Sequence, residues 1–262
     1  MLELYHGGHT TCSRKARLCL REKGLAYTSH FLNLRGFEQH TPAYLKLNPN
    51  GVVPTLIDDG EVVVDSMLIN EYLDEKFDQH TRLRPNNPLD KARMRVWTKL
   101  ASDHGLSGVV PRVWPTFKAY TDKLSPNELK EKLGRIPLTE RQERWAKVAR
   151  GGFGEQDLDA GRKAASLILT RMESGLGNGP WLMGEQYTLA DIDLMPFVDR
   201  FTEFYPDMLN ASATPKVTAW LARMRERPAV KAVWATDEAP AKATGLSMIF
   251  SENRFPLFGI ML

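Results

Sequence analysis

The sequence predicts an α/β layer at its N-terminal end followed by an all-helical half. Three observations carry this. Short β-branched or alternating runs bounded by turns cluster before residue 80. The segment Arg84-Pro85-Asn86-Asn87-Pro88 then interrupts both helix and strand. Beyond it, apolar residues recur at helical spacing. The domains expected are therefore 1–80 and 89–262.

In the first half, Leu2-Glu3-Leu4-Tyr5 alternates as a strand, and residues 6–11 form a Gly-rich loop. Cys12 or Ser13 is expected to start a helix with Ala16, Leu18, Cys19 and Leu20 on its apolar side, stopped by Gly24. Residues 26–32 read as a second strand, and 39–47 as a short helix begun near Thr41-Pro42. The stretch 48–66 organises the rest. An Asn/Pro/Gly loop leads into an apolar run broken by Pro54, a turn at Asp58-Asp59-Gly60, and a returning strand at 62–64, which together make a hairpin. The Val53-Pro54 bond is a candidate for cis, the isomer that only X-Pro adopts cheaply. That bond is expected to turn the Val53 backbone outward, where an extended peptide pairs as an added strand. Asp65-Ser66 opens a helix over 66–77, and a helix start attracts a carboxylate. One stretch thus offers a backbone clamp and an anion pocket to a small peptide.

In the second half, 89–102 carries Met94, Trp97 and Leu100 on one face. Residues 111–126 carry Trp114, Phe117 and Tyr120 among prolines that leave their conformation open. Residues 127–150 are charged, with Trp145 as apolar anchor, and 157–174 form a helix. The loop 175–184 ends in Trp181-Leu182-Met183-Gly184. Thr188 then caps a buried helix, with Asp191 reaching back from its third position. A helix over 215–224 closes at Arg227-Pro228, and the tail from Pro240 ends in an apolar run that either covers a pocket or packs elsewhere.

Composition narrows the classes. A chain of 262 residues holds one large or two modest domains, and 42% hydrophobic residues suffice for an ordinary soluble core. A net charge of +3, without a basic run, argues against nucleic acid. No apolar stretch approaches a membrane span, and the first residues lack the basic and apolar regions of a secretory signal. Cys12 and Cys19 lie about 10 Å apart along one helix, too far to bridge, so a cytoplasmic protein with free thiols is expected. His6, His9, His80 and His104 lack metal-ligand grouping, and no metal site is expected.

The series Asn48-Pro49, Gly51, Val53-Pro54 and Asp65-Ser66 resembles the glutathione site of glutathione transferases, and Trp181-Leu182-Met183-Gly184 with Thr188-Leu189-Ala190-Asp191 resembles their helical domain. The resemblance spans residues 1 to about 235 and implies a thioredoxin-like N-terminal domain joined to an all-α one, with glutathione as co-substrate. It implies that Val53, beside Pro54, pairs with the cysteinyl backbone. Asp65 and Ser66 would hold the γ-glutamyl end, and Gln39 and His40 the glycyl end. Such enzymes hold glutathione as a thiolate, whose free thiol ionises about 1.5 units above neutrality. The residues positioned to stabilise it are Thr10, Thr11, Cys12 and Ser13, with Tyr5 inside the first strand as the other possibility; Ser13 is favoured as hydroxyl donor and Cys12 kept as a redox nucleophile.

Closer still, Glu22-Lys23-Gly24-Leu25, Phe37-Glu38-Gln39-His40, residues 94–99, Ile136-Pro137 and the region 142–153 resemble the bacterial glutathione-dependent β-aryl-etherases of lignin breakdown. The last region falls in an insertion that compact transferases lack. On that resemblance, the thiolate displaces a phenolate from a β-aryl ether next to a ketone, and the second substrate rests near Trp114, Phe117, Tyr120 and Trp145. A homodimer without membrane or nucleic-acid partners is implied. The rival expectations are a general transferase of hydrophobic electrophiles, a thiol reductase using Cys12, and a non-catalytic binding module.

Overall fold

The computed structural model describes residues 1–235, so the apolar tail and the end of the expected 89–262 domain lie outside the described residues. Four strands form one mixed sheet in the order β2-β1-β3-β4: β1 (Leu2–His6), β2 (Thr28–Phe31), β3 (Thr55–Asp58) and β4 (Glu61–Val64). β2 runs parallel to β1 with Leu4 opposite Ser29, β3 runs antiparallel with Leu56 opposite Leu4, and β4 closes the hairpin with Val64 opposite Thr55.

Because side chains alternate along a strand, each face acquires its own helices. Leu4 and Leu56 join the core shared with α1 (Thr11–Glu22) and α3 (Ser66–Lys76). Tyr5 and Ile57, on the other face, pack with Leu32 and with Tyr44 and Leu47 of α2 (Pro42–Leu47). Helix α2 also fixes the hairpin entrance. The Tyr44 hydroxyl donates to the Val52 carbonyl at 2.6 Å, and Asn48 Nδ2 donates to the same oxygen at 2.9 Å. The Val53-Pro54 bond that follows is cis, as the sequence suggested.

The second half comprises α4 (Pro88–Val113), a 3-10 turn at Trp114–Phe117, α5 (Lys118–Thr121), α6 (Pro126–Gly134), α7 (Thr139–Ala149), α8 (Glu155–Gly175), α9 (Leu189–Phe204), α10 (Pro215–Glu226) and α11 (Pro228–Ala235). α4 continues well past the expected end at residue 102. Gly105 and Gly108 lie inside it because α9 approaches there: a Cβ on Gly105 would sit 2.7 Å from the Phe197 ring, and one on Gly108 2.9 Å from Phe201. Glycine here serves close packing rather than helix termination. Pro111 is accommodated in the last turn. α1 starts at Thr11, just ahead of the expected Cys12 or Ser13.

The capping box at α9 forms as expected. The Asp191 carboxylate accepts from the Thr188 N–H at 3.0 Å, and also from the Leu182 N–H at 3.1 Å and the Trp220 indole at 2.9 Å. It therefore ties the Trp181 loop, the start of α9 and α10 together. The sheet-bearing half meets the helical half without a polar gap. One apolar core runs from Leu2 to Val233, and Lys15 of α1 meets Asp193 of α9 at 3.1 Å with both side chains buried. Asn70 of α3 donates to the same aspartate at 2.7 Å.

Candidate active site

A cavity of about 300 Å³ opens between the hairpin entrance, the start of α1 and the inner sides of α4, α7 and α9. One end is polar and built from the first half: Thr10, Thr11 and Cys12, then Gln39 and His40, then Gly51, Val52 and Val53. The other end is built from the helical half and is largely apolar and aromatic, with Val109 and Val113 of α4, Trp114, Phe117, Trp145 of α7 and Phe204 of α9, joined by the charged Arg112, Arg200 and Glu203. The aromatic wall is cohesive, with Trp145 centred 5.2 Å from Trp114 and 5.5 Å from Phe117.

The start of α1 is the chemically distinctive part. No side chain caps it, so the first amides of the helix stay open and the positive end of its dipole faces the cavity. Thr11 and Cys12 line the cavity at this point. Ser13, the hydroxyl favoured from sequence, does not line it. It is fully buried under the preceding loop, where its Oγ accepts from the Gly7 N–H at 3.0 Å and the Thr10 hydroxyl at 2.8 Å. One position further along, the helix turns Ser13 inward, away from the cavity wall that Thr11 and Cys12 line.

Other sequence candidates divide similarly. Gln39, His40 and Val53 line the cavity, as do Trp114, Phe117 and Trp145. Tyr120 does not; it is exposed on α5, its hydroxyl accepting from Arg35 at 3.2 Å. Pro54, Asp65 and Ser66 also lie off the cavity wall, but the pairing of Thr55 with Val64 sets Asp65-Ser66 beside the cis bond. The expected open amides at the start of α3 are not open. Asp65 takes up φ 71° and its carboxylate accepts from the Met67 and Leu68 N–H groups at 2.8 and 3.4 Å. What this corner presents outward is a carboxylate beside the nearly buried Ser66.

Arg141 escaped the sequence reading. It lines the cavity from α7, its Nε is buried without a hydrogen-bond partner, and no carboxylate pairs with it among the described residues. Gln39 Oε1 and His40 Nδ1 are likewise buried and unpartnered, although Gln39 Nε2 donates to the Leu34 carbonyl at 3.3 Å. Burial, then the nearby Arg141 charge, push the His40 imidazole down to about 4, the Gly51 backbone opposing them. The signal was present: residues 141, 145 and 148 share one helical face, so an arginine stands in line with buried Trp145 and Val148.

This geometry meets the comparisons with known proteins. The family model for the glutathione S-transferase N-terminal domain matches residues 10–76, and that for the C-terminal domain matches residues 114–228. The chain belongs to the glutathione S-transferase family and is a glutathione-dependent transferase with that family's fold. Protein LigF of Sphingobium sp. strain SYK-6 is 36% identical over 88% of this chain and 91% of its own length. The crystal structure of that protein, the beta-etherase LigF, superimposes with a TM-score of 0.84 at 34% identity, covering 89% of this chain and 98% of the other. A zeta-class glutathione S-transferase of Euphorbia esula is 44% identical over 79% of each chain.

Proposed function

We propose that the chain is a transferase of the β-etherase type, acting on an aromatic ether ketone. Glutathione lies along Val53 with its cysteinyl sulfur at the start of α1 and its γ-glutamyl end at Asp65 and Ser66. Asp65 meets the ammonium and the Ser66 hydroxyl the carboxylate. The thiolate is held by the Thr11 hydroxyl and the open amides of α1, a charge-stabilising arrangement that needs no catalytic base. The sulfur attacks the carbon bearing the aryloxy group, next to the ketone. The carbon–sulfur bond forms as the carbon–oxygen bond breaks, and the phenolate leaves with the electron pair. The protein contributes positioning and a fixed electrostatic field.

The observation that carries this reading is continuity. One cavity joins the start of α1 to an aromatic wall of Trp114, Phe117 and Trp145. The likeness to LigF supports the same substrate class. Incubation with glutathione and a β-aryl ether ketone should release the phenol. Absence of phenol from either enantiomer, with brisk conjugation of an aryl halide, indicates a general transferase instead.

Cys12 on the cavity wall favours a second reading, a thiol reductase working through a mixed disulfide. Loss of activity in Cys12→Ala with retained activity in Thr11→Val would select it. The free thiols agree with a cytoplasmic location. The exposed Leu68 of α3 and Val96 of α4, beside the Arg95–Glu71 pair, suit a two-fold dimer, which sedimentation would reveal.

A further inference from the structure

Segment 126–149 does more than enclose the pocket. Its Pro137 packs on the hairpin entrance so tightly that a Cβ on Gly51 would lie 3.2 Å from the proline ring and 2.8 Å from His40. The same segment brings Arg141 to the polar end of the cavity, where Gln39 and His40 also leave buried polar atoms unpartnered. Three orphaned groups at one wall are costly in an empty site and cheap in one completed by a ligand.

A half-buried guanidinium whose Nε is sealed from water without a partner, and which no carboxylate pairs among the described residues, asks for an anion, and its planar fork suits a carboxylate. Gln39 Oε1 asks for an N–H donor. A peptide terminus offers both within one residue: its amide N–H and its carboxylate. We propose that Arg141 receives the glycyl carboxylate of bound glutathione while Gln39 Oε1 accepts the glycyl N–H. The glutathione end is thereby completed by the helical half rather than by the sheet-bearing half alone. This rests on glutathione occupying the cavity as described above. The carboxylate is chosen over the sulfur because Arg141 leaves its buried Nε at the wall where Gln39 Oε1 and His40 Nδ1 are also unpartnered, although the Cys12 thiol at the start of α1 acts on it as well. The extended tripeptide then reaches Arg141 with its glycine.

The test is calorimetric titration of wild type, Arg141→Gln and Arg141→Lys with three probes: glutathione, its glycyl ethyl ester, and S-methylglutathione. Loss of one charged hydrogen-bonded pair weakens binding about ten- to a hundred-fold. Wild type should lose that factor on esterification. Arg141→Gln should lose it for glutathione and for S-methylglutathione alike, yet bind the ester as wild type does. Arg141→Lys should recover part of the loss. Three results overturn the proposal: an ester bound by wild type as tightly as glutathione, an Arg141→Gln affinity equal to wild type, or a loss that vanishes with S-methylglutathione. The last assigns the arginine to the sulfur. A wild-type protein that takes up none of the probes overturns the glutathione site itself. The esterification arm needs no variant, so it holds even where Arg141→Gln folds poorly.

Discussion

Replacing Asp191 with alanine should destabilise the protein by about 3–5 kcal/mol. The carboxylate serves three buried donors: the Leu182 and Thr188 amides and the Trp220 indole. Stranding a buried donor costs about 1–3 kcal/mol, and water entering the small cavity left by the truncation keeps each cost toward the lower limit. The sum is a large share of an ordinary domain's stability of about 5–15 kcal/mol. Burial pushes this carboxyl up to about 6, above its unfolded value near 3.9, so the folded state takes the proton first on acidification. The measurement therefore belongs at pH 7.5, where the aspartate is charged. Urea unfolding followed by circular dichroism, at fixed protein concentration, should show the midpoint falling by about 1–1.7 M for a slope near 3 kcal/mol/M. Thr188→Ala, which removes a single cap, should cost only about 1 kcal/mol. An Asp191→Ala loss below about 1 kcal/mol, or one equal to that of Thr188→Ala, would refute a three-way junction.

Other expectations concern the site. Asp65→Ala and Ser66→Ala should each weaken glutathione binding by about 1–3 kcal/mol, read by calorimetry, although neither residue lines the main cavity. Thr11→Val should raise the apparent pKa of bound glutathione by about 1 unit in the pH–rate profile, while Cys12→Ala leaves it nearly unchanged. The His40 imidazole lies near 4 when folded and 6.5 when unfolded, so its contribution is intact above pH 6.5 and is lost as pH falls toward 4. The stability difference between wild type and His40→Gln should therefore fall by about 1 kcal/mol per pH unit across that window. Water in the cavity trims the full 1.4 expected of a sealed group. A flat difference would show that the ring is not held neutral.

The hairpin with its cis bond and the α9 capping box were legible because each depends on a few adjacent residues: Val53-Pro54, Asp58-Asp59-Gly60, and Thr188 with Asp191. α4 was underestimated because Gly105 and Gly108 look like breakers until Phe197 and Phe201, about ninety residues on, are packed against them. The site was half legible. Gln39, His40, Val53 and three of the four aromatics line the cavity. The burial of Ser13 was not legible, because a single position of helical phase separates the cavity wall from the interior, and no local pattern fixes that phase where a glycine-rich loop meets a helix. Asp65 resisted for a related reason: its own carboxylate satisfies the amides it was thought to leave open. Arg141 went unnoticed because its meaning depends on lacking a partner, which is a property of the folded arrangement alone.

The buried meeting of Lys15 with Asp193 bears on how such a chain can change by recombination. A half transplanted from a relative brings its own α1 or its own α9. Any mismatch at these two positions leaves one charge sealed at the join without its counterpart, at a cost of about 3–5 kcal/mol. Shuffled progeny would then survive only when both ends of the pair travel together, or when both are replaced by apolar residues of similar volume. The junction thus works as a compatibility check between modules, and substitutions at 15 and 193 should be inherited as a unit.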